Sequence, residues 1–190
     1  MPFSIMPGPM KGLFLIQPKI FNDSRGYFIE TWSQKALENE GLKVGFVQDN
    51  QSKSVKGVLR GLHFQKKFPQ GKLVRAIQGE IFDVAVDLRN YSPTYGKWYG
   101  TVLSGKLQNQ FYIAPGFAHG FLVLSDEAVF AYKCTDYYHP EDEGGISWSD
   151  PTLDIKWPKL SIRPSLSNKD IDLPQFDPNT KYFISEGNLV

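Results

Sequence analysis

The chain has 190 residues, of which 41% are hydrophobic and 22% charged, values typical of a globular protein. Its net charge of +1 argues against a strongly basic surface, so we expect no nucleic-acid partner. Aromatic residues make up 14% of the chain, and 17 glycines with 13 prolines indicate many turns. Together these features favour an all-β fold, and we expect a single domain over residues 1–190.

The N-terminal part predicts an arm, two strands and a helix. Residues 1–12 are rich in Pro, Met and Gly and are typical of an extended arm. The apolar stretch 13–16 predicts a first strand, and it is far too short for a secretory signal or a membrane span, so we expect no membrane association. A turn then leads into a second strand ending at residue 30. Residues 33–40 predict a helix with Ser33 as its N-cap and a glycine just past its end.

The middle of the chain predicts a series of short strands. Residues 82–88 alternate between an apolar set and a mixed set that contains two aspartates, which indicates a strand with two different faces. Turn residues separate this strand from others predicted at 99–104, 110–114, 121–124 and 128–134. Regular short strands with such turns are typical of a sandwich or a barrel. A short helix is predicted at 165–173, and the rest of the C-terminal tail is expected to be irregular.

The run 57–65 combines two side chains suited to chemistry. His63 can titrate near neutral pH, and Arg60 has a guanidinium group suited to phosphate oxygens. In a regular strand these positions point to opposite faces, so they would not share a pocket. A bulge at Gly61 would bring them together. The alternative is a half-buried strand in which a neighbouring group satisfies His63.

Other residues limit the possible chemistry. Cys134 is the only cysteine, so no intrachain disulfide can form; it is expected in the core, and the chain in a reducing cytoplasm. His63 has no histidine at metal-ligand spacing, so no metal is expected. Gln48 and Asn50 would present two amides on one face of a strand, unless that strand is an exposed edge. A histidine base, a tyrosine acid and cationic charge stabilisers remain, a set that suits proton abstraction beside a carbonyl group.

Several segments resemble one family. They are residues 46–50, 57–65, 71–75, 83–89, 114–121, 132–133, 148–151 and 167–170, and they are similar, in the same order, to segments of the dTDP-4-dehydrorhamnose 3,5-epimerase family. The resemblance implies a cupin-like jelly roll, or double-stranded β-helix, with a few short helices, working as a homodimer. It also implies inversion of carbons 3 and 5 of dTDP-4-dehydro-6-deoxy-D-glucose, on the route to dTDP-rhamnose, with no cofactor.

The resemblance implies roles for four catalytic residues. His63 falls at the general base and Asp170 at the carboxylate that orients it; Asp170 could otherwise be an acidic residue in a helix first turn. Tyr132 falls at the general acid, with a buried core tyrosine as the alternative. Lys72 falls at the cation beside the ketone oxygen, where the alternative is an exposed lysine in a turn. The segment before it, residues 66–71, departs from the family pattern.

Further positions match residues that contact the dTDP-sugar. Two arginines match ligands of the pyrophosphate, Arg25 and Arg60. Two aromatic residues match those that stack on the thymine, Phe21 and Tyr138. Other matched positions are Glu30, Gln48, Asn50, His119, Glu143 and Lys169. Two other functions stay open: an enzyme that inverts a single carbon of such a sugar in another deoxysugar pathway, and a non-catalytic sugar-nucleotide sensor. The sensor would typically have lost His63 or Tyr132, and both are present.

Overall fold

A computed structural model describes residues 2–183, which form thirteen strands and few helices. In chain order the strands are β1 (Phe3–Pro7), β2 (Leu13–Pro18), β3 (Ile20–Asp23), β4 (Gly26–Ile29), β5 (Gln48–Val55), β6 (Leu59–Gln65), β7 (Lys72–Gln78), β8 (Glu80–Asp87), β9 (Trp98–Ser104), β10 (Gln110–Ile113), β11 (Phe117–Val123), β12 (Glu127–Cys134) and β13 (Glu143–Gly145). The helices are α1 (Gln34–Asn39), a 3-10 turn (Pro140–Asp142) and α2 (Asn168–Ile171).

Two antiparallel sheets form the body of the fold. The larger sheet has the order β1-β2-β10-β7-β12-β5, and the smaller has the order β13-β6-β11-β8-β9. Large apolar side chains of both sheets meet in one core, among them Phe111, Phe121 and Phe130. Strands β3 and β4 pair only with each other, as a separate hairpin. This is the predicted all-β, cupin-like jelly roll.

The smaller sheet is covered on its second face as well. There Leu62 and Val84 pack against Ile146, Leu153 and other apolar residues of the C-terminal part. Strand β8 is therefore buried on both faces over most of its length, and its two aspartates are completely buried. The predicted mixed face of residues 82–88 is thus an interior face.

The N-terminal segment is part of the larger sheet. Strand β1 pairs with β2 over its whole length, from Phe3 opposite Pro18 to Pro7 opposite Phe14. The predicted extended arm therefore contains the edge strand of the larger sheet, paired within its own chain. At the other end, Phe176 and Phe183 are buried against the smaller sheet. The remainder of the predicted C-terminal tail, residues 184–190, lies outside the described residues.

Both predicted helices are present, but one is shorter than expected. The hydroxyl of Ser33 accepts a hydrogen bond from the amide of Ala36, as an N-cap does, and α1 follows it. The predicted helix 165–173 is reduced to the four residues of α2. Ser165 forms a β-bridge with Val58, which holds it extended, so the helix begins only after Ser167. Within residues 2–183, no helix has the length and hydropathy needed to cross a membrane.

A bulge in β6 brings Arg60 and His63 to one side of the strand. His63 lies opposite His119 and Arg60 lies opposite Phe121, so β6 has one more residue than β11 between these pairs. The predicted bulge at Gly61 is confirmed. Close approach of the two backbones accompanies it, because a Cβ built on Gly120 would lie 2.6 Å from the carbonyl oxygen of Arg60.

We expect Gly120→Ala to destabilise the fold, because its methyl group would displace the backbone of β6. Overpacking of this kind costs roughly 1–3 kcal/mol in the free energy of unfolding. Urea denaturation monitored by tryptophan fluorescence measures the loss. Gly45→Ala is the matched control, since a Cβ there meets nothing within 4 Å. Equal stability of the two variants would contradict the close approach of β6 and β11.

Candidate active site

The candidate site is a cleft between the two sheets, with two connected lobes of about 410 and 300 Å³. Both lobes are lined by the same four side chains at their junction, Asn50, His63, Lys72 and Tyr132. The larger lobe also contains Arg60, His119, Lys169 and Asp170. The smaller lobe also contains Gln48, Cys134, Tyr138 and Glu143. The fold thus brings together all four predicted catalytic residues and most of the predicted substrate contacts.

His63 is held by a carboxylate from the far end of the chain. Its Nε2 lies 2.6 Å from Oδ1 of Asp170, which is almost completely buried. The hydroxyl of Ser167 donates to the other carboxylate oxygen at 2.9 Å and also accepts from the amide of Asp170. Burial lowers the pKa of His63, while the carboxylate of Asp170 opposes this lowering. At neutral pH the imidazole is therefore neutral and can accept a proton.

Tyr132 lies on the opposite wall of the cleft. It belongs to β12 in the larger sheet, whereas His63 belongs to β6 in the smaller one. Its ring packs against Phe130, with the centroids 5.5 Å apart. Burial raises the pKa of the Tyr132 hydroxyl, and Cys134 raises it further while Arg60 lowers it. The hydroxyl therefore stays protonated at neutral pH and can donate a proton.

Lys72 points into the cleft from the start of β7. Burial lowers the pKa of its ammonium group, and Cys134, Glu143 and Asp83 oppose this lowering. Within residues 2–183, no carboxylate comes close enough to the ammonium group to form an ion pair. A partly buried ammonium group of this kind can stabilise an oxygen that becomes negatively charged during a reaction.

The divergent segment before Lys72 is fixed by hydrogen bonds. The amides of Lys67 and Phe68 both donate to one carboxylate oxygen of Asp142, at 2.8 and 2.9 Å. The amide of Gly71 donates to the hydroxyl of Thr135 at 2.7 Å. These contacts link residues 66–71 to the segment that follows β12, so the departure from the family pattern leaves Lys72 at the cleft.

Glu143 connects three side chains of the smaller lobe. One of its oxygens accepts from the hydroxyl of Tyr138 at 2.5 Å and forms an ion pair with Lys169. The other lies 3.9 Å from Nδ1 of His63. Burial raises the pKa of Glu143, but Lys169 and Tyr138 lower it more, so the net pKa is below its usual range. Glu143 is thus a carboxylate anion at neutral pH.

The remaining polar residues of the cleft are held by neighbours within the fold. Arg60 donates to the hydroxyl of Ser54 from Nε and Nη2, at 3.3 and 3.1 Å. Gln48 donates to the side chain of Asn50 at 3.0 Å, which confirms that these two amides share one face of β5. His119 is buried, with its Nε2 2.9 Å from a carboxylate oxygen of Asp83.

Three predicted substrate contacts are not in this cleft. Phe21 and Arg25 belong to the β3–β4 hairpin, and Glu30 directly follows it. The side chain of Arg25 is 88% exposed and pairs with Asp23 at 2.7 Å. Within one chain these three residues lie outside the cleft that contains His63, because the hairpin pairs with neither sheet. Their contact with the substrate stays a prediction.

Sequence reasoning also missed several partners of the site residues. The alternating pattern predicts only a mixed strand face for Asp83, whereas in the structure its carboxylate contacts His119. Ser167 was not singled out, although the pattern Ser-x-x-Asp before a short helix predicts a side-chain cap. Cys134 was expected in the core; it is buried, as predicted, but also lines the cleft. Within residues 2–183, no three His, Cys, Asp or Glu side chains are arranged to hold a metal ion.

Comparison with known proteins places the chain among sugar-nucleotide epimerases. Residues 7–178 match the family model described as dTDP-4-dehydrorhamnose 3,5-epimerase. A protein of that name from Methanothermobacter thermautotrophicus is 56% identical over 156 residues, which are 82% of this chain and 84% of that protein.

Solved structures show the same relationship. The crystal structure of dTDP-6-deoxy-D-glucose-3,5-epimerase from Legionella pneumophila, in complex with dTDP-4-keto-L-rhamnose, is similar with a TM-score of 0.86. It is 50% identical and covers 92% of this chain and 99% of its own. A 3'-monoepimerase from Streptomyces bikiniensis, in complex with dTDP-quinovose, is 32% identical with a TM-score of 0.83, covering 89% of this chain and 86% of its own. The match to the family model over most of the chain and the identity to its members show that this chain belongs to the dTDP-4-dehydrorhamnose 3,5-epimerase family.

Proposed function

We propose that the protein inverts carbons 3 and 5 of dTDP-4-dehydro-6-deoxy-D-glucose and so produces dTDP-4-dehydro-L-rhamnose. The observation that carries this proposal is the arrangement of His63 and Tyr132 on opposite walls of one cleft, with Lys72 between the lobes. The names of relatives that are about half identical to this chain support the choice of substrate. The reaction would serve dTDP-rhamnose biosynthesis in the cytoplasm, where the single buried thiol would remain reduced.

Inversion at a carbon beside a ketone requires two groups on opposite sides of the sugar ring. His63 removes the proton from one face, and the electron pair moves into the ketone to give an enolate. Tyr132 then returns a proton to the same carbon from the other face, and solvent restores the tyrosine hydroxyl. Two facing sheets keep the base and the acid apart, so that a sugar ring fits between them.

Lys72 stabilises the enolate formed in this reaction. Its side chain lines both lobes together with His63 and Tyr132, and it has no carboxylate ion-pair partner among residues 2–183. The negative charge of the enolate develops on the ketone oxygen of carbon 4. Carbon 4 is bonded to both reacting carbons, 3 and 5, so the same oxygen carries the charge in both steps. One cation can therefore assist both proton transfers, and the partly dehydrated cleft strengthens its effect.

Cations and aromatic residues of the cleft suit the dTDP part of the substrate. Arg60 and Lys169 line the larger lobe and supply donors for phosphate oxygens. Tyr138 is half exposed at the smaller lobe, where its ring is available for stacking on thymine. Gln48, Asn50 and His119 supply polar contacts to the rest of the nucleotide sugar.

We propose further that the protein is a homodimer in which the β3–β4 hairpin completes the partner's cleft. The hairpin exposes three aromatic rings, those of Phe21, Tyr27 and Phe28, with exposed fractions of 47%, 57% and 69%. Such a group is typical of a protein–protein contact. A second copy that covers the hairpin would bring Arg25, Phe21 and Glu30 to a substrate, which reconciles their predicted roles with their positions.

Incubation with the substrate in deuterium oxide tests the reaction, with NMR locating the incorporated deuterium. We expect label at both carbons, and label at carbon 3 or 5 alone would identify a single-carbon epimerase instead. His63→Ala is expected to slow exchange at both carbons by about 10²–10⁴-fold, because one base serves both. Binding of dTDP measured by calorimetry should change little. Continued exchange at either carbon in this variant would require a second base.

Tyr132→Phe separates the acid from the base, because it removes the hydroxyl and keeps the ring. We expect net epimerisation to collapse while deuterium exchange with retention of configuration continues, since His63 can still remove and return a proton. Chiral analysis of the product, together with its deuterium content, makes this comparison. Equal loss of exchange and epimerisation would assign Tyr132 to enolate formation, and unchanged rates would make it a packing residue.

Mixed dimers test whether Arg25 acts across the subunit interface. The variants Arg25→Ala and His63→Ala are each expected to be nearly inactive as homodimers. Coexpression with two different tags should yield mixed dimers with one intact site, so that random pairing restores roughly a quarter of the wild-type activity. Purified mixed dimers without activity would show that Arg25 does not complete the site of a partner that carries His63.

A further inference from the structure

His63 lies between two carboxylates that approach its two ring nitrogens. Asp170 approaches Nε2 at 2.6 Å, and Glu143 approaches Nδ1 at 3.9 Å. The first distance is that of a short hydrogen bond, and the second is too long for one. The two carboxylates therefore have different roles at the same ring.

The short contact determines which nitrogen can act as the base. An ionised carboxylate only accepts hydrogen bonds, so the neutral imidazole has its proton on Nε2 and donates it to Asp170. The lone pair is then on Nδ1. A proton taken from the substrate goes to Nδ1, on the side of the ring that faces Glu143, and the ring becomes an imidazolium cation.

Glu143 is held at this place by contacts that leave one oxygen towards His63. Strand β13 pairs with β6, so that Gly145 lies opposite His63 and Glu143 lies opposite Gln65. Lys169 and Tyr138 both bind the same carboxylate oxygen, Oε2. The other oxygen, Oε1, is the one nearest to Nδ1. The side chain is only 11% exposed, so solvent screens its charge weakly.

We propose that Glu143 is a positioning residue for the base: its carboxylate stabilises the imidazolium that forms when Nδ1 of His63 accepts a proton. This inference relies on the proposed function for the role of His63 as base. It assigns Glu143 to the base, whereas the family resemblance implied a contact with the substrate. The same carboxylate links the base to Lys169 and Tyr138, two residues proposed to bind the nucleotide.

Some groups around His63 raise its pKa and others lower it. Burial lowers the pKa of His63, Asp170 and Glu143 raise it, and Lys72 lowers it. Titratable or charged side chains from several elements line the two lobes together with His63. They are Arg60 from β6, Lys72 from β7, His119 from β11, Tyr132 and Cys134 from β12, Tyr138 from the loop after β12, Glu143 from β13, and Lys169 and Asp170 from α2. Glu143 is the group among them that approaches Nδ1 with a negative charge.

Titration of His63 by NMR, with no substrate present, tests the proposal directly. Glu143→Gln keeps the shape and removes the charge, so the pKa of His63 should fall, by about half a unit to one unit. Lys169→Gln should have the opposite effect, since it removes a cation and leaves the charge of Glu143 uncompensated. Glu141→Gln is the matched control: it removes a carboxylate from the same segment, whose partner is His139, and should leave His63 unchanged.

The pH dependence of kcat/KM provides the second readout. The base must be deprotonated in the free enzyme, so the acid limb of the profile follows the pKa of His63 and should move to lower pH in Glu143→Gln. The plateau rate should fall because the base is weaker. The proposal would be overturned if the pKa of His63 is unchanged in both Glu143→Gln and Lys169→Gln. It would also be overturned if Glu143→Gln raises KM and leaves the acid limb in place, which would indicate that Glu143 binds the substrate. Failure of the proposed function would appear separately, as wild-type protein that incorporates no deuterium.

Discussion

The cleft depends on the close approach of β6 to β11, where Gly61 of β6 faces Gly120 of β11. This approach accommodates the extra residue of β6, and the extra residue puts Arg60 and His63 on the same side of the strand. In a regular strand Arg60 and His63 would point to opposite faces, so one of these polar side chains would enter the apolar layer behind the smaller sheet. A polar side chain there would lose its hydration. The backbone geometry at this point therefore puts the proposed phosphate ligand Arg60 and the proposed base His63 in one cavity.

Some charged side chains of the cleft have a close partner and others do not, and this difference matters for the proposed reaction. Two carboxylates of the cleft have a close partner: Asp170 accepts a hydrogen bond from the neutral ring of His63, and Glu143 forms an ion pair with Lys169. Lys72 has no carboxylate partner of its own within residues 2–183. A partly buried ammonium group without a carboxylate partner loses hydration that no ion pair offsets. In the proposed reaction the enolate supplies the missing negative charge, so Lys72 would stabilise this intermediate more than the ground state.

The sequence predicts the parts that depend on local patterns. The alternating strand 82–88, the Ser33 cap and the bulge at Gly61 follow from periodicity and residue type, and the structure contains each of them. Strand β13 was not predicted, because three residues with two glycines have no strand pattern and pair only where β6 offers a free edge. The pairing of Asp83 with His119 was missed because it joins two strands far apart in sequence. Arg25 lies outside the cleft, and its predicted contact with the pyrophosphate requires the second chain of the proposed homodimer, which no pattern within one chain describes.

The carboxylate that contacts His63 belongs to Asp170, in a four-residue helix 107 positions later in the chain. That helix begins where it does because Ser165 bridges to Val58 at the start of β6 and Ser167 caps the first turn. All strands of both sheets precede this segment in the chain. During synthesis the sheets can therefore assemble while His63 still lacks its partner. In the proposed mechanism His63 is therefore paired for catalysis only once the segment that carries Asp170 has emerged and docked, so activity would report completed folding as well as chemistry.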